Sequence, residues 1–203
     1  MLGFVLTLSL VSITADSAIA NFKAKWRTVQ DYVCEVESYQ RKGKKEQYRV
    51  YDYKFMRPLW IKMVIIDGDD KGGKASYNFE DGKVHARKPG LAGKIKIKLS
   101  PDNKLVKSIR GQKITESHFG HLLVMLKDAR RPIKSLGDTV IDGVEVVGLT
   151  GYTKEGLKFN IYLRKTNFLP YRIEEYENGV LVHRATYRKL RINVGLKKED
   201  FKI

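Results

Sequence analysis

The sequence predicts a mainly β protein of the α+β class, built on one large antiparallel sheet with a few helices. Three observations carry this. Period-two alternation of apolar and polar residues recurs in nine or ten segments, Gly- and Asn-containing turns join most of them at hairpin spacing, and only two stretches have helical period. No strand–helix–strand alternation and no internal boundary interrupts the meander, so residues 21–203 read as one domain.

The chain opens with an uncharged run, Leu2 to Ile13, followed by small and polar residues ending Ala18-Ile19-Ala20. A bilayer-spanning helix needs about 20 apolar residues, so this run is too short to cross. An apolar segment ahead of an Ala-x-Ala triplet is the pattern of an export signal. Residues 1–20 are therefore expected to be a cleaved signal peptide, cut near Ala20, although no Lys or Arg precedes the apolar run. The mature protein is expected in the periplasm or another extracytoplasmic compartment.

Phe22, Trp26 and Val29 have helical spacing and predict a short amphipathic helix over residues 22–31. From Tyr32 the period is two, with Tyr32, Cys34 and Val36 on one face and Glu35 and Glu37 on the other. A basic turn, Arg41 to Lys45, leads to Tyr51, Tyr53 and Phe55, which alternate with Asp52 and Lys54 and complete a hairpin. Pro58, which has no N–H for a ladder, predicts a bulge or strand break after Arg57. Alternation resumes at Leu59, Ile61, Met63 and Ile65, with Trp60 and Lys62 opposite. Asp67 to Gly73 reads as a loop, and Ala75 to Phe79 and Lys83 to Arg87 as strands about the turn Glu80-Asp81-Gly82. Residues 94–99 alternate Lys94, Lys96 and Lys98 with Ile95, Ile97 and Leu99. One longer helix is predicted over Thr115–Lys127, with Phe119, Leu122, Leu123 and Leu126 on one stripe and Pro132 beyond it. Strands follow at 139–141, 144–152, 158–164, 171–176 and 180–190, joined by turns that include Asp142-Gly143 and Asn178-Gly179.

Composition narrows the partners. A chain that is 31% charged and 42% hydrophobic has the apolar mass to fold, and a single Cys excludes a disulfide framework. The formal charge is +16, and removing residues 1–20 takes away one acid, Asp16, and no base, giving +17. Ten Lys or Arg and one acid, Asp102, fall within residues 82–113. Such a protein seeks anionic partners, and export argues against nucleic acid. An anionic membrane surface, touched peripherally, is the expected partner. Lys94, Lys96 and Lys98 share one face of a strand, where each would gain roughly 1 kcal/mol near lipid phosphates. The same lysines would also guard an edge strand against aggregation.

No catalytic pattern is present. Nucleophile elbow, P-loop, His-Glu-x-x-His and paired-carboxylate motifs are missing, so no enzyme activity is expected. Cys34 reads as a small buried hydrophobe. His118 and His121 stand three apart with Glu116 nearby, but nothing completes a metal shell, and Asp67, Asp69 and Asp70 lack the closing Glu of a calcium loop. Neither a metal nor another cofactor is expected.

A large antiparallel sheet with few helices covers its apolar face by closing into a barrel, by forming a sandwich or by curling around its helices. The inward set is bulky and aromatic: Tyr51, Tyr53, Phe55, Leu59, Ile61, Met63, Tyr77 and Phe79. If a curved sheet does not fill itself, these residues line an apolar ligand cavity.

The strand ending Phe55-Met56-Arg57-Pro58-Leu59-Trp60-Ile61-Lys62-Met63, the later Phe168-Leu169-Pro170-Tyr171-Arg172-Ile173 and the closing Asn193-Val194-Gly195-Leu196 to Phe201 resemble the LolA/LolB-like lipoprotein-carrier superfamily. The resemblance spans most of residues 22–203 as architecture and points to an uncharacterised LolA-like relative rather than the carrier itself. It implies an incomplete, strongly curved half-barrel capped by helices, with an apolar cavity that receives lipid or lipoprotein acyl chains. Arg57 would be the arginine at the cavity entrance and the Tyr51, Phe55 and Leu59 side its lining. The leading expectation is a monomeric exported carrier or sensor of acyl chains. The alternative is a basic module with a packed core that binds acidic glycan or lipopolysaccharide, and an envelope hydrolase ranks third.

Overall fold

The computed structural model describes residues 13–90, 96–130 and 132–203. Most of the expected signal run, and Lys94, lie outside the described residues. Helix α1, Ala15–Thr28, precedes β1 (Asp31–Lys42), β2 (Lys45–Met56), β3 (Trp60–Gly68), β4 (Lys74–Asn78), β5 (Lys83–Arg87) and β6 (Ile97–Leu99). Helix α2, Phe119–Lys127, separates these from β7 (Lys134–Ile141), β8 (Val144–Tyr152), β9 (Lys158–Arg164), β10 (Pro170–Glu177) and β11 (Val180–Ile192).

The strands form one sheet in the order β6-β5-β4-β3-β2-β1-β11-β10-β9-β8-β7. Strands consecutive in sequence pair throughout except β6 and β7, which lie at opposite edges, and at the centre the first strand pairs with the last. β6 and β7 are edges, so the sheet is a mainly β half-barrel that does not close. Its hairpins form where the sequence supplies residues that tolerate a left-handed backbone. Asp142 and Gly143 have φ of 50° and 77°, and Asn178 and Gly179 have 51° and 80°, the pair of positive values that matches the twist of the flanking strands.

Helix α1 begins earlier than the spacing of Phe22 and Trp26 predicts. The Thr14 hydroxyl accepts from the Ser17 N–H at 3.2 Å as its cap, and the helix passes unbroken through Ala20, burying Ala18, Phe22 and Trp26. It also ends sooner, at Thr28, because Asp31 is taken by the sheet end of the chain: its carboxylate accepts from the N–H groups of Val194 (2.7 Å), Gly195 (3.1 Å) and Leu196 (3.3 Å). The Asn193 side chain ties the same corner, accepting from Gln30 N–H at 2.8 Å and donating to the Thr28 carbonyl at 3.0 Å.

The helix expected over Thr115–Lys127 is divided. A single 3-10 turn, Ile114–Glu116, is followed by a break, and α2 starts only at Phe119. At the break His118 is extended (φ −99°, ψ 159°), which lays its imidazole on Phe55 at 5.3 Å and beside Trp26 at 6.1 Å. On the convex side the C-terminal residues cross β3. Phe201 packs on Trp60 at 5.9 Å, and Lys62 Nζ donates to the carbonyls of Asp200 (3.0 Å) and Lys202 (2.7 Å).

Candidate ligand cavity

The concave face is filled at one end. Tyr32, Phe55 and Ile61 are fully buried there beneath Phe22, Trp26 and Phe119 of the two helices. Tyr32 lies flat against Phe119 with centroids 4.5 Å apart, and Trp26 meets Phe55 at 5.4 Å. Towards the β1–β2 turn and across β3 to β6 the same face is not filled. A cavity of about 380 Å³ lies there, roofed by residues 105–125. Its size falls in the range of about 300–1,000 Å³ usual for small-molecule sites.

Cross-strand register explains the open space. One inward row runs Tyr53, Met63, Ala75, Ala86, Ile97 over five strands. A second runs Ile173, Ala185, Ser38, Arg49. Alanines and a serine stand where the filled end carries rings. From the roof, Ile114, Leu122 and Met125 face this floor.

A third row, Glu175, His183, Gln40, makes the end nearest the β1–β2 turn polar. The Glu175 and His183 side chains are only 12% and 11% exposed and stand 3.5 Å apart. Burial would raise the Glu175 carboxyl, but hydrogen bonding and charge from His183, with Arg110 and His121, hold it below the usual carboxylate value. Gln112 of the roof accepts from Gln40 Nε2 at 3.0 Å and stands 3.4 Å from His183 Nδ1. Arg49 pairs with Asp70 and reaches the Tyr51 hydroxyl at 3.5 Å. His118 also lines the cavity. Burial, with His121 and Arg57 adding, pushes its imidazole down to about 4.

Of the residues singled out from sequence, Tyr51, Tyr53 and Met63 line the cavity. Phe55 and Ile61 are buried in the filled end, and Leu59 and Tyr77 pack against that core. Phe79 stands outside the wall, 48% exposed, because β4 ends at Asn78 and Phe79 belongs to the following turn. Arg57 is not at the cavity either. Its Nε donates to the Val29 carbonyl (2.6 Å) and its Nη2 to that of Trp26 (2.9 Å), while its guanidinium lies 4.7 Å above the Trp26 ring, so it closes the C-terminal end of α1. Lys96 is exposed, and Lys98 pairs with Asp81 at 2.8 Å on the outer face of β6. The polar row of Gln40, Glu175 and His183 was not singled out; the period-two phase of β1, β10 and β11 was the signal that would have found it.

Cys34 is buried and its thiol pushed up by burial. Among the described residues no group of three or more His, Cys, Asp or Glu converges. Asp69 accepts from Tyr48 N–H at 2.8 Å and Asp67 pairs with Lys71 at 3.4 Å, so the acidic loop is spent on its own turn and on ion pairs. No described helix is long and apolar enough to cross a membrane.

An open antiparallel half-barrel with a roofed, largely apolar cavity defines the class of fold. Solved structures share it. An uncharacterized conserved protein from Thermus thermophilus superposes with TM-score 0.59 at 8% identity, covering 93% of each chain. Lipoprotein LppX of Mycobacterium tuberculosis gives 0.54 at 13% identity over 89% of this chain and 99% of its own. MucB gives 0.57 at 12% identity over 93% of this chain, which spans 62% of MucB, and MucB of Pseudomonas aeruginosa is also solved in complex with MucA. No family model matches the sequence, and no curated protein matches it.

Proposed function

We propose that this chain is an exported, non-catalytic carrier or sensor that shields acyl chains of a lipid, or of a lipoprotein, inside its half-barrel. The observation that carries the reading is the cavity itself: about 380 Å³ between Val36, Met63, Ala75 and Ala185 below and Leu122 and Met125 above. Burying an acyl chain there gains about 0.8 kcal/mol per methylene. The sensor form of the reading draws support from MucB, whose complex with MucA is a complex with a protein partner. The protein acts as a monomer outside the cytoplasm, and Lys94, Lys96 and Lys98 bring it peripherally to anionic membrane. A packed-core polyanion binder gains nothing from an open cavity, and that alternative is set aside.

The test is native mass spectrometry with lipid extraction of the protein purified from its own envelope fraction. Bound lipid or acylated peptide at close to one per chain is expected. Protein that carries none, and takes up no fluorescent acyl probe, overturns the reading. Intact mass of the same sample locates the mature terminus. A cut after Ala20 removes the Thr14 cap and Ala18 from α1 but keeps Phe22 and Trp26.

A further inference from the structure

This inference rests on the carrier reading and concerns the head of the ligand. Among the described residues, four cavity-lining side chains have a buried polar atom without a hydrogen-bond partner, Gln40 Oε1, Arg49 Nε, Arg87 Nε and His118 Nδ1, and the first two, an acceptor and a donor, stand on the paired strands β1 and β2. Gln40 is 7% exposed, and its amide nitrogen is already spent on Gln112. Ser38, one inward position from Gln40 on β1, is the direct cross-strand partner of Arg49. Gln40 and Arg49 are thus diagonal neighbours on one face, within reach of a single small polar group.

The charges beside Gln40 and Arg49 are paired, while the cavity's further cations, Lys74, Arg87 and Lys88, lie across the sheet on β4, on β5 and just after it. Arg49 is paired with Asp70, and Glu175, with His183 at 3.5 Å, stands in the row of Gln40. Lys107 and Lys113 on the roof are drawn to Asp102 at 3.6 Å and 2.7 Å. A carboxylate or phosphate entering here would approach the buried Glu175 carboxylate and would offer nothing to an orphaned acceptor. An uncharged head with both a donor and an acceptor satisfies Gln40 and Arg49 together.

We propose that the cavity selects acyl compounds whose head is uncharged and carries both donor and acceptor, a hydroxyl or an amide, and discriminates against free fatty acids and other acyl anions of the same chain length. The chain lies on the Met63, Ala75 and Ala86 floor, with the head between Gln40 and Arg49.

Calorimetric titration of the mature protein with monolauroylglycerol, N-lauroyl glycinamide and laurate at neutral pH tests this. The two neutral compounds are expected to bind about tenfold more tightly than laurate, the effect of one buried hydrogen-bonding pair. Tight binding by only one of them supports the proposal and says whether hydroxyl or amide is the natural head. Gln40→Leu should bring the neutral compounds down to the level of laurate. Glu175→Gln, of nearly the same shape, should raise laurate alone, and keeps the test decisive if Gln40→Leu does not fold. Laurate binding as well as the neutral compounds, or selectivity unchanged in a folded Gln40→Leu or Glu175→Gln protein, overturns the proposal and leaves the carrier reading standing. If none of the three binds, the carrier reading fails and this proposal fails with it.

Discussion

The two ends of the concave face are built from the same strands with the same alternation, yet one is solid and the other hollow. At the α1 end, inward positions of β1 to β3 hold Tyr32, Phe55 and Ile61, and the helices answer with Phe22, Trp26 and Phe119. At the other end, inward positions hold Ser38, Ala75, Ala86 and Ala185, and the roof residues Leu122 and Met125 do not reach down to them. Sheet geometry is common to both, so residue volume decides. A cavity in this fold is made by omission, with small side chains placed in register across several strands. The solid end holds the two helices against the sheet and so holds the roof over the hollow one.

The largest effect is expected from opening the solid end. Trp26 touches Tyr32, Phe55 and Phe119 with centroids 5.4–6.3 Å away and carries the Arg57 guanidinium. Trp26→Ala should lower unfolding free energy by about 3–5 kcal/mol, the usual result of deleting a buried large ring, measured by urea denaturation. A loss below about 1 kcal/mol would mean that α1 is not part of the core, and the contrast between the ends would fail.

His118 belongs to both ends, stacked on Phe55 on one side and facing the cavity on the other. Its imidazole is lowered from 6.5 to about 4, first by burial and then by His121 and Arg57. The folded protein keeps the ring neutral where the unfolded chain takes up a proton. Stability from this group is therefore complete above about pH 6.5 and drains away as the pH falls towards 4. On the order of 3 kcal/mol should be lost across that window. Glu175, held below the ordinary 4.5, adds its own loss only at the acid end. His118→Phe, which keeps a ring on Phe55, should flatten the profile between pH 6.5 and 4.5. An unchanged profile would place the titration elsewhere.

The strands were legible in the sequence because one exposed face enforces period two. β1 and β2, with twelve residues each, pair in unbroken register from Asp31 with Met56 to Lys42 with Lys45. The break before α2 was not legible. Ser117 and His118 fit a helical stripe as well as their neighbours do, and only the tertiary stacking of His118 on Phe55 selects the extended backbone. The cavity was half legible. Large apolar residues pointed to the concave face, and Tyr51, Tyr53 and Met63 do line the cavity, but Phe55 and Ile61 mark where the face is filled; the alanines that mark where it is empty are ordinary strand residues until the register is known. Arg57 was noticed for the right neighbours, since it does bond carbonyls, though they belong to α1. Phe79 misled because the Asn78 side chain, accepting from Glu80 N–H at 2.9 Å, turns the chain one residue before the alternation ends.

Arg57 gives a smaller test of how the solid end is fastened. Its planar fork serves two carbonyls and a ring at once, which the single ammonium of Lys does not reproduce. Arg57→Lys should cost about 1–2 kcal/mol in urea while leaving uptake of an acyl probe intact. Loss of uptake in a stable Arg57→Lys protein would bring this residue back to the cavity and weaken the separation of the two ends.

The smallest expected effect on stability is the most informative about the hollow end. In a filled interior, replacing Ala by Phe overpacks the site and costs about 1–3 kcal/mol. Ala75 stands between Met63 and Ala86 on the cavity floor, with open space above it. The new ring in Ala75→Phe enters that space rather than displacing neighbours and regains contact with the roof. Its stability should therefore stay within about 1 kcal/mol of wild type, while acyl probe uptake and co-purifying lipid are lost. A protein that is both destabilised and still loaded with lipid would show that the floor near Ala75 is already occupied by side chains and that the ligand sits elsewhere. A stable, empty protein would show that this end of the sheet is kept vacant for a guest, since filling it removes the guest and harms nothing else.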